Sequence, residues 1–325
     1  MPKFKKLLIL WMILQGVLMA AVVKEIEIKE SKVPGVFEKE EYLPIVSIQL
    51  VFKNAGHLSN TKDGLADMSA RLMNEGTSKE GSVGFATKLD AHAVEIGAHT
   101  GRESFVIEVS SLKSEFDYAV DRLEELLKDP NYTQAALDHI KHQKIGWLTR
   151  KKSDFDYIAG TALRATLFKG SVLARPYDGT LESIEEITLE DIQGHLSAHL
   201  GYNNVMGVVG GDITFEEAEA YLKRLLALFP KVEEKKGLSI QASDKKEVVF
   251  KEEDTHQAYI YFGAPFNYSY KEKDQYLAKI AEYLLGGAGF GSRLMEEIRV
   301  KRGLTYGVYS SLRRTKTASY LSGYM

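Results

Sequence analysis

One order of elements is written twice along this chain: a strand, a glycine-containing loop, two helices and a strand. In the first copy Val46, Ile48, Leu50 and Phe52 alternate with Ile45, Ser47, Gln49 and Val51, the period of a strand with one face more buried. A polar loop, Asn54 to Asp63, leads through Gly64 into a helix over Leu65 to Asn74. Leu65, Met68 and Leu72 share one face of it, and Gly76 follows its end. A further helix is predicted over about Ser82 to Ile96, then a strand in which Phe105, Ile107 and Val109 alternate with polar neighbours. The second copy has a strand over Gln257 to Ala264, helices over Lys271 to Leu285 and Ser292 to Val300, and a strand over Tyr306 to Leu312. Repetition of such a unit predicts an α+β protein of two lobes, each a mostly antiparallel sheet covered by helices.

Between the copies the pattern is mainly helical. A helix from Ser114 to Leu127 stops at Asp129-Pro130, and a long helical region from Thr133 to Phe168 breaks around Lys152 to Asp154. A helix over Thr188 to Leu200 begins with a capping box, Thr188 with Asp191 three residues on. Val205 to Val209 reads as a short buried strand closing at Gly210-Gly211-Asp212, and Phe215 to Phe229 as a helix ending at Pro230. Residues 231 to 246 are charged and lack an apolar period, as a linker would. The division expected is therefore a first lobe over 22 to 230 and a second over 247 to 325. The second is much the shorter and stops inside a strand-like stretch, which reads as a fragment of a longer protein with an incomplete second lobe.

The start of the chain has its own character. Lys3, Lys5 and Lys6 precede an unbroken apolar run from Leu7 to Leu14 and a second from Val17 to Val23. This is the pattern of a secretory signal over residues 1 to 21, cleaved near Ala20 or Ala21. Left uncut, the stretch is about as long as the shortest membrane spans and would act as an anchor. Cysteine is absent, which excludes thiol catalysis, thiolate zinc sites and disulfides. An exported chain without cysteine suits a bacterial periplasm. The formal charge of −3 supplies no basic excess for a phosphate backbone, so nucleic acid is not the expected partner.

The segment Asp63-Gly64-Leu65-Ala66-Asp67-Met68-Ser69-Ala70-Arg71, closing at Gly76-Thr77, resembles the zinc helix of the insulinase/pitrilysin family of peptidases, G-L-A-H-x-x-E-H. The frame is present and the chemistry is not. Asp67 stands at the first histidine, Ala70 at the glutamate and Arg71 at the second histidine. Alanine cannot take a proton from zinc-bound water, and an arginine repels a dication. The family's third ligand, a glutamate, would fall near Gly146-Trp147, yet no Asp or Glu occurs from His139 to Ser153. Further segments carry the likeness through the chain: Tyr157-Ile158-Ala159, Pro176-Tyr177 with Gly179-Thr180, and Val208-Val209-Gly210-Gly211-Asp212. Arg299 and Tyr306 match the family's R-x-x-x-x-x-x-Y substrate-holding segment, with Arg302 on the same wall.

The resemblance implies a division of labour. This chain would hold no zinc and be inactive alone. It would pair with a zinc-bearing homologue and contribute Arg299 and Tyr306, whose N–H and O–H groups hold an extended peptide and face the oxyanion. The alternative is a scaffold protein of the same fold with no peptide chemistry. An autonomous metallopeptidase with unorthodox ligands would need a metal site that the sequence does not offer.

Plainer readings accompany these. Arg299, near Glu296 and Glu297, could serve as a solvated salt-bridging residue, and Tyr306 as packing. His195 and His199 have the spacing of a zinc pair but Leu196 stands at the base position, so a solvated helix face is expected. His139 and His142, with Lys141 and Lys144, read as a basic helix surface, and Asp67 with Arg71 as an exposed or half-buried ion pair. Ser110 to Lys113 matches S-x-x-K without the accompanying acyl-enzyme motifs. Gly286 to Gly291 lacks a phosphate-loop pattern.

Overall fold

The structure, a computed structural model, describes residues 21–266 and 272–325. The expected signal segment, up to residue 20, and the expected helix start at Lys271 lie outside the described residues. In chain order the main elements are β1 (Val22–Ile28), β2 (Ser31–Lys39), β3 (Ile45–Lys53), α1 (Leu65–Met73), α2 (Gly81–Asp90), β4 (Glu95–Thr100) and β5 (Ser104–Leu112). There follow α3 (Phe116–Lys128), α4 (Gln134–Lys151), α5 (Phe155–Leu167), α6 (Leu181–Glu186), α7 (Leu189–His199), β6 (Val205–Gly211) and α8 (Phe215–Leu226). The last are β7 (Tyr261–Pro265), α9 (Gln275–Glu282), β8 (Tyr309–Arg314) and β9 (Ser319–Tyr324). Among the described residues no helix is long and apolar enough to cross a membrane.

By their contacts the described residues form two units that interleave along the chain: those up to 143 with 182–235, and 144–181 with those from 236 on. The first unit holds a six-stranded sheet in the order β1-β2-β6-β3-β5-β4. Every pairing is antiparallel except β2 with β6. The alternation in β3 does what its period dictates: Val46, Ile48, Leu50 and Phe52 are buried and the residues between them are not. Ile48, Leu50 and Phe52 are wholly inaccessible and meet Phe105 and Ile107 of β5 on the covered face. Gly207 in β6 lets α8 approach, since a Cβ there would lie 2.8 Å from Leu222 Cδ1. Capping boxes start α7 and α8. Thr188 Oγ1 accepts from Asp191 N at 3.2 Å while Asp191 Oδ2 accepts from Thr188 N at 2.8 Å, and Thr214 and Glu217 repeat the exchange.

The second unit has a three-stranded antiparallel sheet, β7-β9-β8. Helix α5 lies close against β7: a Cβ at Gly263 would come within 3.2 Å of Leu163 Cδ1 and of Leu167 Cδ2, and Tyr261 Oη donates to Asp156 Oδ1 at 3.2 Å. Residues 230–260 form no regular element. The expected break in the long helix falls between α4 and α5, where Asp154 caps α5 by accepting from Tyr157 N at 3.0 Å. The architecture is the α+β arrangement the sequence predicts, with mostly antiparallel sheets.

Candidate functional site

Helix α1 is built to be held in place from below. Gly64 precedes it at φ +85°, a left-handed conformation that favours glycine, and Asn60 Oδ1 accepts from Ala66 N at 2.8 Å. Leu65, Ala66, Met68, Ser69, Ala70, Leu72 and Met73 are buried. Beyond its end Asn74 exchanges two hydrogen bonds with Ala98 on the edge strand β4, at 2.9 and 2.7 Å. Asp67 and Arg71 face outward together, with Arg71 Nε donating to Asp67 Oδ2 at 2.8 Å. Their side chains are 22% and 41% exposed, so this is the half-buried helix pair the sequence predicts.

These residues do not suit a dication. Asp67 is the single oxygen donor among the three positions, and its charge is already met by a guanidinium. Ala70 presents a buried methyl group with no lone pair. Trp147, where a third ligand would be expected, packs edge-on to Tyr157 at 5.7 Å. Among the described residues no three His, Cys, Asp or Glu side chains are gathered as a metal would need.

Arg299, Arg302 and Tyr306 belong to the second unit, on the helical segment Met295–Val300 and the turn after it. Met295 is buried and anchors this segment, whose first turn is tied by Ser292 Oγ accepting from Met295 N at 3.3 Å. The chain then reverses at Gly303, at φ +62°, with Gly303 N donating to Arg299 O at 2.9 Å and Leu304 N to Ile298 O at 3.2 Å. Thr305 Oγ1 closes the turn on Gly307, so Tyr306 is carried outward between two fixed points and is 90% exposed. The three cations of the segment differ in their partners. Lys301 Nζ lies 2.6 Å from Glu297 Oε1, and Arg302 Nη1 lies 3.1 Å from Glu297 Oε2. Both hold the Glu297 carboxyl below its usual range, Lys301 more than Arg302. Arg299 has no carboxylate within ion-pair distance among the described residues; its guanidinium carbon stands 4.4 Å from the centre of the Phe290 ring.

Two readings of polar residues are corrected. His195 and His199 are buried, not solvated, each at 5% exposure. Ile192, His195, Leu196 and His199 make one inward stripe of α7, the signal that their spacing already contained. His195 Nε2 donates to Ala55 O at 3.2 Å, and His199 Nδ1 donates to His195 O at 2.8 Å. His199 Nε2 is then left to accept from Lys235 Nζ at 3.1 Å. Lys144 is likewise buried, on the stripe Leu137, Ile140, Lys144 and Leu148 of α4. Its ammonium lies 4.5 Å from the Trp147 ring centre and 3.5 Å from Asp178 Oδ1. His139 and His142 are exposed, as expected of a basic helix surface.

Comparison with known proteins adds the following. Residues 36–181 match the model of the insulinase family, peptidase family M16, and residues 186–325 match that of the peptidase M16 inactive domain. The chain is 39% identical over 309 residues to a protein of Helicobacter pylori described as "Non-peptidase homolog YmxG", covering 95% of this chain and 71% of that one. It superposes with a TM-score of 0.84 on a crystal structure of a peptidase M16 inactive domain from Pseudomonas fluorescens. That match has 24% identity and covers 93% of this chain and 73% of the other. With the first half of the periplasmic protease PqqL from Escherichia coli the TM-score is 0.69 at 18% identity, over 94% of this chain and 69% of that half. Against the whole of PqqL the chain spans 36% of the length.

Proposed function

The chain belongs to the insulinase family, peptidase family M16, and from that premise we propose that it is a non-catalytic, substrate-binding subunit of a periplasmic zinc metallopeptidase. It completes the active site of a zinc-bearing homologue and takes extended peptides. The observation that carries this reading is the contrast between its two segments. On α1 the positions of the family's zinc chemistry hold an ion pair and a methyl group. On the segment after Met295, Arg299 and Tyr306 keep the family's spacing with their polar ends unspent on internal ion pairs.

In this reading the zinc of the partner supplies an activated water. This chain contributes donors: the Arg299 guanidinium offers fixed N–H groups to a peptide carbonyl or carboxylate, and the Tyr306 phenol one more. Aimed where negative charge develops, such donors lower the barrier, and losing one costs a factor of about 10² to 10³ in rate. Arg302, tied to Glu297, lines the same wall less directly. Pairing is supported by PqqL, in which a matching stretch is one part of a longer chain. The positively charged, apolar start and the lack of cysteine support export to the periplasm. H. pylori YmxG, described as a non-peptidase homologue, supports the absence of activity in the isolated chain.

The test is reconstitution. Alone, the purified protein is expected to cleave no peptide and to bind no stoichiometric zinc. Mixed with a homologue bearing an intact H-x-x-E-H motif, it should give chelator-sensitive cleavage of a fluorogenic peptide. Arg299→Ala and Tyr306→Phe in this chain should each lower that rate by about 10² or more. Chelator-sensitive cleavage by the chain unaided would overturn the reading. Unchanged activity of both variants in the mixture would leave a scaffold protein of the same fold.

A further inference from the structure

Phe290 is a large aromatic side chain left 69% exposed. It stands at the tip of the turn Gly289–Gly291, entered through Gly289 at φ +58°. Three backbone bonds fix that turn: Ala288 N to Tyr283 O at 2.8 Å, Gly291 N to Ala288 O at 3.4 Å and Ser292 N to Gly289 O at 3.0 Å. The ring is thus presented from a held loop, and what lies over it is the Arg299 guanidinium, 4.4 Å from its centre.

The chemistry of that contact is specific. An arginine paired with a carboxylate spends its N–H edge on the partner, as Arg302 does with Glu297. An arginine set over a ring is held by its face, and the donors around its rim remain free to be aimed elsewhere. Among the described residues Arg299 has no ion-pair partner that would compete for those donors. Glu297, one of the two carboxylates on the same helical segment, is already held by Lys301 and Arg302.

We infer that Phe290 is a positioning residue for Arg299: its ring holds the guanidinium by one face so that the N–H edge is presented to the carbonyl or carboxylate of a bound peptide. The inference rests on the reading of Arg299 as a peptide-holding residue and names the group that orients it.

Two measurements on the full chain test this separately from that reading. The first is the Arg299 Nε–H signal in a ¹⁵N-arginine-labelled sample, assigned by its loss in Arg299→Lys. It should be displaced by the ring in the wild type, return to an ordinary arginine position in Phe290→Leu, and stay displaced in Phe290→Trp. The second is fluorescence anisotropy with a fluorescein-labelled, unstructured apolar decapeptide. Arg299→Ala should abolish binding, Phe290→Leu should weaken it about threefold to fivefold, and Phe290→Trp should restore it. Because the ring is exposed, these Phe290 variants should fold as the wild type does. If the wild type takes up no decapeptide, or Arg299→Ala binds as well as the wild type, the reading of Arg299 falls and this inference with it. If Arg299→Ala loses binding while Phe290→Leu binds normally, or its Nε–H signal does not move, Phe290 alone is overturned.

Discussion

His195 and His199 show how a single residue's protonation can depend on where the fold puts it. Burial drives the His195 pKa from 6.5 down to about 4, with the neighbouring His199 as a smaller cause, and burial also lowers His199. The unfolded chain binds protons on these rings near pH 6.5, whereas the folded chain binds them only at lower pH, for His195 near 4. Their contribution is therefore complete above pH 6.5 and declines as pH falls toward 4. For His195 alone the loss by pH 5 is about 2 kcal/mol. Carboxylates such as Glu80, whose pKa is pulled down by Lys88 and then Arg122, act only below about 4.5, so the window from pH 6.5 to 5 reports the imidazoles. Urea midpoints at pH 7.5 and 5.0 should differ accordingly, and His195→Gln should shrink the difference; equal midpoints in the wild type would refute this. The Asp67–Arg71 pair, half exposed, contributes at most a few tenths of a kcal/mol. Its weight lies in what it displaces rather than in stability.

At the scale of elements, helix ends and strand faces follow from local chemistry and are where the sequence reads best. The capping box at Thr188 is present as the S/T-x-x-D pattern suggested, and Thr188→Ala should cost about 1 kcal/mol in urea denaturation. Gly76 behind α1 lies at φ +75°, and a Cβ there would meet the carbonyl oxygen of Gly81. Gly76→Ala should thus lower stability by more than about 1 kcal/mol, through strain and displacement of the neighbouring turn. The element reading fails in two ways: the helix expected to run to Ile96 stops at Asp90, with β4 starting at Glu95, and polar residues in apolar stripes are placed on the wrong side. Polarity alone assigns Lys144, His195 and His199 to the surface, whereas their positions at helical spacing from Leu137, Ile140, Ile192 and Leu196 put them inward. Position on the stripe outweighs polarity when a partner is waiting: Asp178 and the Trp147 ring for Lys144, Ala55 O for His195.

At the scale of the molecule, the packed units and the linear order of the chain part company. Charge and periodicity divide the chain at residues 231–246, whereas contacts group 144–181 with 236–325. Within that unit α5 supplies Leu163 and Leu167 beneath β7, and Phe168 meets Tyr320 of β9 at 5.0 Å. Residues 236–325 expressed alone would keep the three-stranded sheet without this cover. They are expected to melt without cooperativity by circular dichroism, and co-expression with 144–181 should restore a transition. A cooperative melt of 236–325 by itself would contradict the grouping.

The sequence by itself determined most of the strands and helices, the glycine turns, the loss of the zinc motif's side chains and the Arg299–Tyr306 spacing, because each depends on residues a few positions apart. Backbone bonding, capping and the periods of 2 and 3.6 are local rules. Only the tertiary structure decided that two histidines and a lysine go inside, that residues 144–181 join the later part of the chain, and that Arg299 meets a ring instead of a carboxylate. Those outcomes turn on which partner arrives across a long loop or from a separate element, and a burial cost is repaid only by the group that is actually there.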